Sequence, residues 1–104
     1  MTRTIITAAI SIATAADHTI IAAVTGKKII ITSLFFTVGG DVNVTLKDGA
    51  TAISGAMDFG GTSEPRGMVV NFADIAIALG SGNAFVITLS AAVQVSGTVV
   101  YYLG

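Results

Sequence analysis

The segment GKKIIITSLFFTV, residues 26–38, joins a short polar turn to the longest run of strand-forming residues in the chain. β-Branched and aromatic residues dominate positions 29–38, and these residue types are enriched in β-strands. The preceding Gly26-Lys27-Lys28 has the composition of a turn. The segment therefore predicts a turn followed by a strand over Ile29–Val38, and it favours an all-β fold.

Both faces of this predicted strand are apolar, whereas a strand on a solvated sheet shows only one apolar face. By strict alternation, one face holds Ile30, Thr32, Leu34, Phe36 and Val38, and the other holds Ile29, Ile31, Ser33, Phe35 and Thr37. The C-terminal strand repeats the pattern, with Val99, Tyr101 and Leu103 opposite Val100 and Tyr102. Either a loop of the same chain covers the second face or another subunit does. Contiguous apolar surface favours the subunit.

Glycine separates the remaining strand-like runs, with 12 Gly and one Pro in the chain. Val42, Val44 and Leu46 alternate with polar residues, and the following Asp48-Gly49 predicts a hairpin through a type I′ turn. About eight short strands with frequent turns are typical of an antiparallel β-sandwich, and eight strands favour a jelly-roll-like arrangement. We expect one domain over residues 1–104, with residues 1–12 as an extended N-terminal strand or arm.

The composition excludes several classes of function. Charged residues make up 11% of the 104 residues and hydrophobic residues 53%, whereas a soluble domain carries roughly 25% charged residues. A net charge of −1 argues against binding to nucleic acid, which needs clustered positive charge. The absence of cysteine excludes a thiolate nucleophile. Glycine and polar residues interrupt every apolar run before it reaches a membrane-spanning length, so no membrane partner is expected.

Gly26-Lys27-Lys28 resembles the end of a phosphate-binding P-loop, but the motif fails in three places. Its first glycine would fall at Ile21, and its hydroxyl residue would fall at Lys28. The residues that follow predict a strand, so no helix N-terminus is available to hold a phosphate. The sequence indicates a charged turn and no nucleotide site.

No constellation of catalytic or metal-binding residues is evident. His18 is the only histidine, and its neighbour Asp17 would point to the opposite face of a strand. Asp58 and Glu64 could be imagined as a glycosidase pair, but nothing places them across a cleft. We therefore predict that the chain is not an enzyme and has no catalytic residue, metal, cofactor or small-molecule substrate.

Three segments resemble small β-rich proteins encoded in the structural modules of tailed bacteriophages. They are the Gly-Lys-Lys turn at Gly26–Lys28, the hairpin VNVTLKDGATAISG at Val42–Gly55 and the strand AVQVSGTVVY at Ala92–Tyr101. The resemblance covers roughly residues 18–103 and includes no catalytic motif. It implies a virion structural protein, either a capsid decoration (cement) protein or a module of a head or tail fibre. Proteins of this kind are typically β-sandwiches, and decoration proteins are often trimers.

The leading hypothesis is a decoration protein on the virion surface, made in the host cytoplasm, that binds the major capsid protein as a homotrimer and stabilises the shell. The alternative is a fibre or adhesin module that binds a host-surface glycan or protein, although only Tyr101 and Tyr102 could stack on sugars there. The expected subunit interface is Ile29, Ile31, Phe35, Val100 and Tyr102. The expected capsid contacts are Arg3, Ile5, Glu64, Pro65 and Arg66.

Overall fold

The computed structural model describes residues 4–60, 66–72 and 76–104, and within these ranges it contains ten β-strands and no helix. The strands are β1 (Ile6–Ile12), β2 (Asp17–Ile21), β3 (Ile29–Val38), β4 (Val42–Asp48), β5 (Thr51–Ala52), β6 (Met57–Phe59), β7 (Arg66–Asn71), β8 (Ile77–Ala78), β9 (Phe85–Leu89) and β10 (Val95–Leu103). The predicted strand Ile29–Val38 is confirmed at both of its ends.

The strands form two antiparallel sheets. Sheet A has the order β1-β10-β3-β7, with β8 also pairing with β3, and sheet B has the order β2-β9-β4-β5, with β6 also pairing with β4. The pairs are nested, β1 with β10, β2 with β9, β3 with β7 and β8, and β4 with β5 and β6, as in one long hairpin that has been rolled up. Nested pairs that alternate between two sheets give a jelly-roll order, so the predicted antiparallel β-sandwich is confirmed.

The two sheets enclose one hydrophobic core. Val42, Val44 and Leu46 of β4 point into it from sheet B, as their alternation predicts. Phe36 of sheet A meets Phe59 of sheet B edge to face, with ring centroids 5.4 Å apart, a favourable geometry for aromatic pairs. Among the described residues, no polar or charged residue is buried in this core.

A β-bulge at Thr32 explains why β3 has two apolar faces in its sequence. Val100 pairs with Ser33 and Tyr101 pairs with Ile31, which leaves Thr32 as an extra residue without a partner on β10. The bulge reverses the alternation, because one extra residue exchanges the two faces of a strand. Ile29 and Ile31 therefore point into the core together with Leu34, Phe36 and Val38.

The hydroxyl and carbonyl groups of Thr32 are hydrogen-bonded in spite of the bulge. Its Oγ1 donates to the carbonyl oxygen of Val100 at 3.2 Å, and its own carbonyl oxygen accepts from the backbone N–H of Phe72 at 2.9 Å. Groups that the sheet ladder leaves unpaired are thus bonded elsewhere, which is the usual requirement for partly buried backbone.

Two glycines bring the neighbouring strands unusually close to β3. A Cβ on Gly97 of β10 would overlap the carbonyl oxygen of Phe35, and a Cβ on Gly67 of β7 would overlap that of Phe36. Only glycine fits at such a close approach of two backbones. The close packing of both β10 and β7 against β3 therefore requires glycine where they approach Phe35 and Phe36.

Two sequence predictions are corrected at strand ends. The hairpin after β4 turns at Gly49-Ala50, one residue later than the predicted Asp48-Gly49, because Asp48 still pairs with Thr51; Gly49, with φ of 61°, stands at the first central position of the turn, where a positive φ favours glycine. In β2, a shift of register between Thr19 and Ile21 buries Ile21 and ends the strand there. The residue types of His18–Val24, with Ile20, Ala22 and Val24 on one side, predict a strand that continues to Val24, and this prediction is wrong.

Candidate interaction surface

The outer face of sheet A is formed by the side chains that point away from the core. Pairing across the four main strands arranges them in rows, since directly opposed residues of an antiparallel pair share a face. Its members are Thr7, Ala9 and Ser11 of β1, Ser96, Thr98, Val100 and Tyr102 of β10, Ile30, Ser33, Phe35 and Thr37 of β3, Gly67, Val69 and Asn71 of β7, and Ala78 of β8. None of these fifteen described residues is charged.

Phe35 and Val69 form the apolar centre of the outer face of sheet A. They are directly opposed on β3 and β7, and 47% of Phe35 and 82% of Val69 are exposed. Large apolar side chains with this exposure are uncommon on the surface of a free monomer when they adjoin one another. The pair marks the part of the face that would gain most from a partner.

An open groove of about 350 Å³ runs beside this pair along β3 and β7. Phe35, Phe36, Thr37, Gly67, Met68 and Val69 line it, together with Arg66 at the beginning of β7. Gly67 contributes no side chain, so the surface is recessed next to the projecting Val69. A knob and a recess thus lie side by side on one strand.

A second apolar group on the outer face of sheet A lies at the opposite end of the strands. Ile30 of β3 pairs with Tyr102 of β10 on one side and with Ala78 of β8 on the other. Val100 lies two residues before Tyr102 on β10. Ile30, Val100 and Tyr102 are half-buried, and Ala78 is exposed. Ile5, which comes just before β1, is 57% exposed. Apolar surface therefore extends over both ends of the sheet.

The outer face of sheet B is polar and makes its own charge pair. Thr88 Oγ1 donates to Asp17 Oδ1 at 2.6 Å, and Lys47 Nζ lies 3.4 Å from the same oxygen. The Thr88 hydroxyl, and after it the Lys47 ammonium, hold the pKa of Asp17 below its ordinary value, because both favour the ionised carboxylate. Thr45, Asn43 and the exposed Asp58 complete a surface suited to water.

The loops at the end of the sandwich near Gly26 are held by hydrogen bonds. Asp48 accepts bonds from the backbone N–H of Gly80 at 3.0 Å and from Asn83 Nδ2 at 2.9 Å. Lys27 N–H donates to the carbonyl oxygen of Val24 at 3.1 Å and closes the turn, with Gly26 at φ of 75°. The predicted charged turn is confirmed, and β3 follows it directly.

The structure corrects two of the five predicted interface residues. Ile29 and Ile31 are each 1% exposed and belong to the core, so the prediction that they contact another subunit is wrong; the bulge at Thr32 is the reason. Phe35, Val100 and Tyr102 lie on the outer face of sheet A, and their contact with a subunit stays a prediction.

The predicted capsid contacts fall mostly outside the described residues. Arg3, Glu64 and Pro65 lie outside them. Because Glu64 lies outside the described residues, the imagined glycosidase pair of Asp58 and Glu64 does so as well. Ile5 is exposed before β1, and Arg66 is exposed at the first position of β7. Residues 6–12 pair with β10 along their whole length, so this part of the N-terminal segment is a strand of sheet A.

His18 and the acidic residues form no recognisable centre in the described ranges. His18 Nε2 donates to the carbonyl oxygen of Thr14 at 2.8 Å and ties the loop between β1 and β2 to the start of β2. Residues 4–60, 66–72 and 76–104 contain no group of three His, Asp or Glu side chains that could hold a metal ion. In the same residues, no helix has the length and apolar character needed to cross a bilayer.

Val69 and Gly67 are the surface residues that the sequence analysis missed. Met68–Phe72 has the residue types of a strand, but so short a run shows too few alternations to reveal which of its two valines points outward. The signal in the sequence was Gly67, which precedes this run, because an isolated glycine within a strand often marks a close approach of two backbones.

No protein-family model matches the chain, and a comparison with curated proteins finds no significant relative. The candidate surface therefore rests on its own geometry and composition.

Proposed function

We propose that this chain is a virion structural protein, a capsid decoration protein that associates with itself and binds the outer surface of a phage capsid. The observation that carries the proposal is the outer face of sheet A, whose fifteen described residues include Phe35 and Val69 and no charge. A contiguous uncharged face is characteristic of protein–protein contact.

The capsid enters the proposal through the sequence resemblance to phage structural modules. The jelly-roll sandwich suits a protein that functions by binding, because the two sheets present separate surfaces on opposite sides of one core. A protein that binds the assembled shell and not its separated subunits stabilises the shell by mass action. A homotrimer would match the symmetry of three-fold and local three-fold positions on a capsid.

Self-association and capsid binding need separate measurements. Light scattering after size exclusion should give the mass of a trimer at micromolar concentration, and a monomer at that concentration contradicts the proposed assembly. Cryo-electron microscopy of virions whose genome encodes the chain should show its density on the outer capsid surface at three-fold positions.

The fibre alternative predicts different results from the same material. Density at the tail or at a fibre, or binding on a glycan array without binding to capsids, would replace the capsid proposal. Virions that lack the chain provide the control, and we expect their shells to open at lower temperature than those of complete virions.

A further inference from the structure

We propose that the outer face of sheet A binds a second copy of this chain, with Val69 of one copy seated in the groove beside Gly67 of the next. This inference rests on the self-association in the proposed function and is independent of the capsid. It specifies which residues meet and which sheet remains free.

The absence of charge at the outward positions of sheet A favours another copy as the occupant. When a surface packs against its own copies around a symmetry axis, a charge near the axis meets the same charge, and such contacts cost several kcal/mol. A different protein could offset a charge with one of opposite sign, so it would impose no such restriction. Every described outward position of sheet A is neutral, while the outer face of sheet B carries Asp17, Lys47 and Asp58. The one described charge beside the groove is Arg66, at the beginning of β7, where it pairs with the buried Val38.

The size of the face is adequate for a stable contact. Four strands at about 4.8 Å spacing and about eight residues in length cover about 500 Å² in projection. Accessible area exceeds the projection because side chains project from the sheet, and a standard interface buries about 800 Å² on each partner. Packing that uses most of sheet A, including Val100 and Tyr102, therefore reaches the required order of size.

The knob and the recess determine which residues meet in the contact. Val69, which is 82% exposed, projects next to a groove of about 350 Å³ that Gly67 leaves open. Val69 cannot fill the groove of its own strand, but it can fill that of a neighbour. A reciprocal contact, in which each Val69 enters the recess of the other copy, is isologous and closes a two-fold dimer; a one-way contact is heterologous, and three of them close a ring around a three-fold axis.

The first experiment replaces the knob with a charge. Val69→Lys should raise the dissociation constant of the assembly by about 100-fold or more, because the new ammonium would be buried in a groove lined mainly by uncharged side chains, with the like charge of Arg66 beside it. The matched control is Thr19→Lys on the outer face of sheet B, which should assemble as the unmodified chain does. Because Val69 is exposed in the monomer, the thermal midpoint of dilute Val69→Lys should stay within a few degrees.

The second experiment uses the absence of cysteine in the natural chain. Val69→Cys and Thr37→Cys proteins are mixed and oxidised, and the mixed disulfide should form in preference to a pair of Val69→Cys chains, since Thr37 lines the recess. Val69→Cys mixed with Thr19→Cys provides the control and should yield little mixed disulfide.

Three outcomes separate this inference from the proposed function. An assembled natural chain whose Val69→Lys variant assembles equally well overturns the inference and leaves the proposed function standing. Selective cross-linking without any capsid binding supports the inference and removes the capsid from the proposed function. A natural chain that remains monomeric at every concentration overturns both.

Discussion

The two sheets share one core and differ in what they present outside it. On sheet B, Thr88 and Lys47 both approach the Asp17 carboxylate, so this face forms its own polar network in contact with water. On sheet A, Phe35 and Val69 stand exposed among small, hydroxyl and other uncharged residues. Among the described outward positions of the two sheets, the charges therefore lie on sheet B and none lies on sheet A.

The edges of the two sheets differ in the same way. At the edges of sheet B, β2 carries Asp17, His18 and an irregular register, while β5 and β6 have only two and three residues. Charges, bulges and short strands are the features that protect an edge from pairing with other chains. At the edges of sheet A, β1 and β7 have seven and six residues, and their one described charge is Arg66.

The largest effect on folding is expected from a deletion that exchanges the inner and outer faces of β3 in sheet A. Deletion of Thr37 removes one residue from the regular part of the strand and turns Leu34 and Phe36 outward. Loss of the burial of two such side chains costs about 3–6 kcal/mol, a large part of the stability of a small domain. We expect the variant to be unfolded or partly folded by circular dichroism and urea denaturation.

Deletion of Thr32 is the matched control, since it removes a threonine of the same strand from the bulge. The strand then pairs regularly with β10 and keeps Ile29, Ile31 and Leu34 in the core. The expected loss is about 1–2 kcal/mol, from the hydrogen bonds of the Thr32 hydroxyl and carbonyl groups. Equal damage from both deletions would show that the bulge is required for folding and is not a tolerated insertion.

The bulge also shows how far the sequence could predict this fold. The residue types of positions 29–38 were sufficient for the strand and both of its ends, and the alternation in β4 was sufficient to identify its buried face. The buried face of β3 could not be predicted, because the bulge at Thr32 depends on the register with β10, where Val100 lies 68 residues away in the chain. Strict alternation therefore placed Ile29 and Ile31 on the wrong side.

The candidate surface was predictable in part for a related reason. The low content of charged residues indicated that some surface would be uncharged. The alternation of apolar residues along Ile29–Val38 identified Phe35 as a candidate for the subunit interface. The pairing of Phe35 with Val69 joins residues 34 positions apart through β3 and β7. Such a contact arises from the topology, and no local pattern encodes it.

A second prediction concerns the close approach of strands within sheet A. In Gly97→Ala, the new Cβ would lie 2.6 Å from the Cα of Phe36, so β10 must move away from β3 at an expected cost of about 3 kcal/mol. Gly55→Ala, between β5 and β6 in sheet B, is the control: nothing lies within 4 Å of its Cβ, and its effect should stay within about 0.5 kcal/mol. Urea denaturation measures both, and a tolerated Gly97→Ala would contradict the described packing.

A third prediction places the same charge on the two outer faces. Thr98 of β10 lies opposite Phe35, and Thr45 of β4 lies opposite Thr88; both threonines are half-buried on central strands. Thr98→Lys should weaken self-association by about 100-fold because it buries an unpaired charge, while both variants should retain the folding stability to within about 1 kcal/mol. Analytical ultracentrifugation measures the association. Equal weakening by Thr45→Lys would show that sheet B also forms a contact.

The smallest expected effect tests whether the polar network of sheet B is complete without a partner. The pKa of Asp17 is lowered from 3.8 in the folded chain, first by the Thr88 hydroxyl and then by Lys47. A carboxyl group with a lowered pKa stabilises the folded state above its unfolded pKa, and this contribution is lost as the pH falls through the folded pKa. Thr88→Val should move the pKa of Asp17 back towards 3.8, as measured by carboxyl-detected NMR titration.

The pH dependence of the free energy of unfolding of Thr88→Val tests independently whether the lowered pKa of Asp17 stabilises the folded chain. Natural and variant chains should differ most well above pH 3.8, where Asp17 is ionised in both the folded and the unfolded state, and the difference should shrink as the pH falls through 3.8 and then through the lowered pKa of the folded chain. Thr45→Val, which alters the same face and leaves the Thr88 hydroxyl in place, should keep the pKa of Asp17 low. If Asp17 instead titrates near 3.8 in the monomer and lower only in the assembly, then sheet B gains its polar network from a neighbour, and the two faces are less different than the single chain indicates.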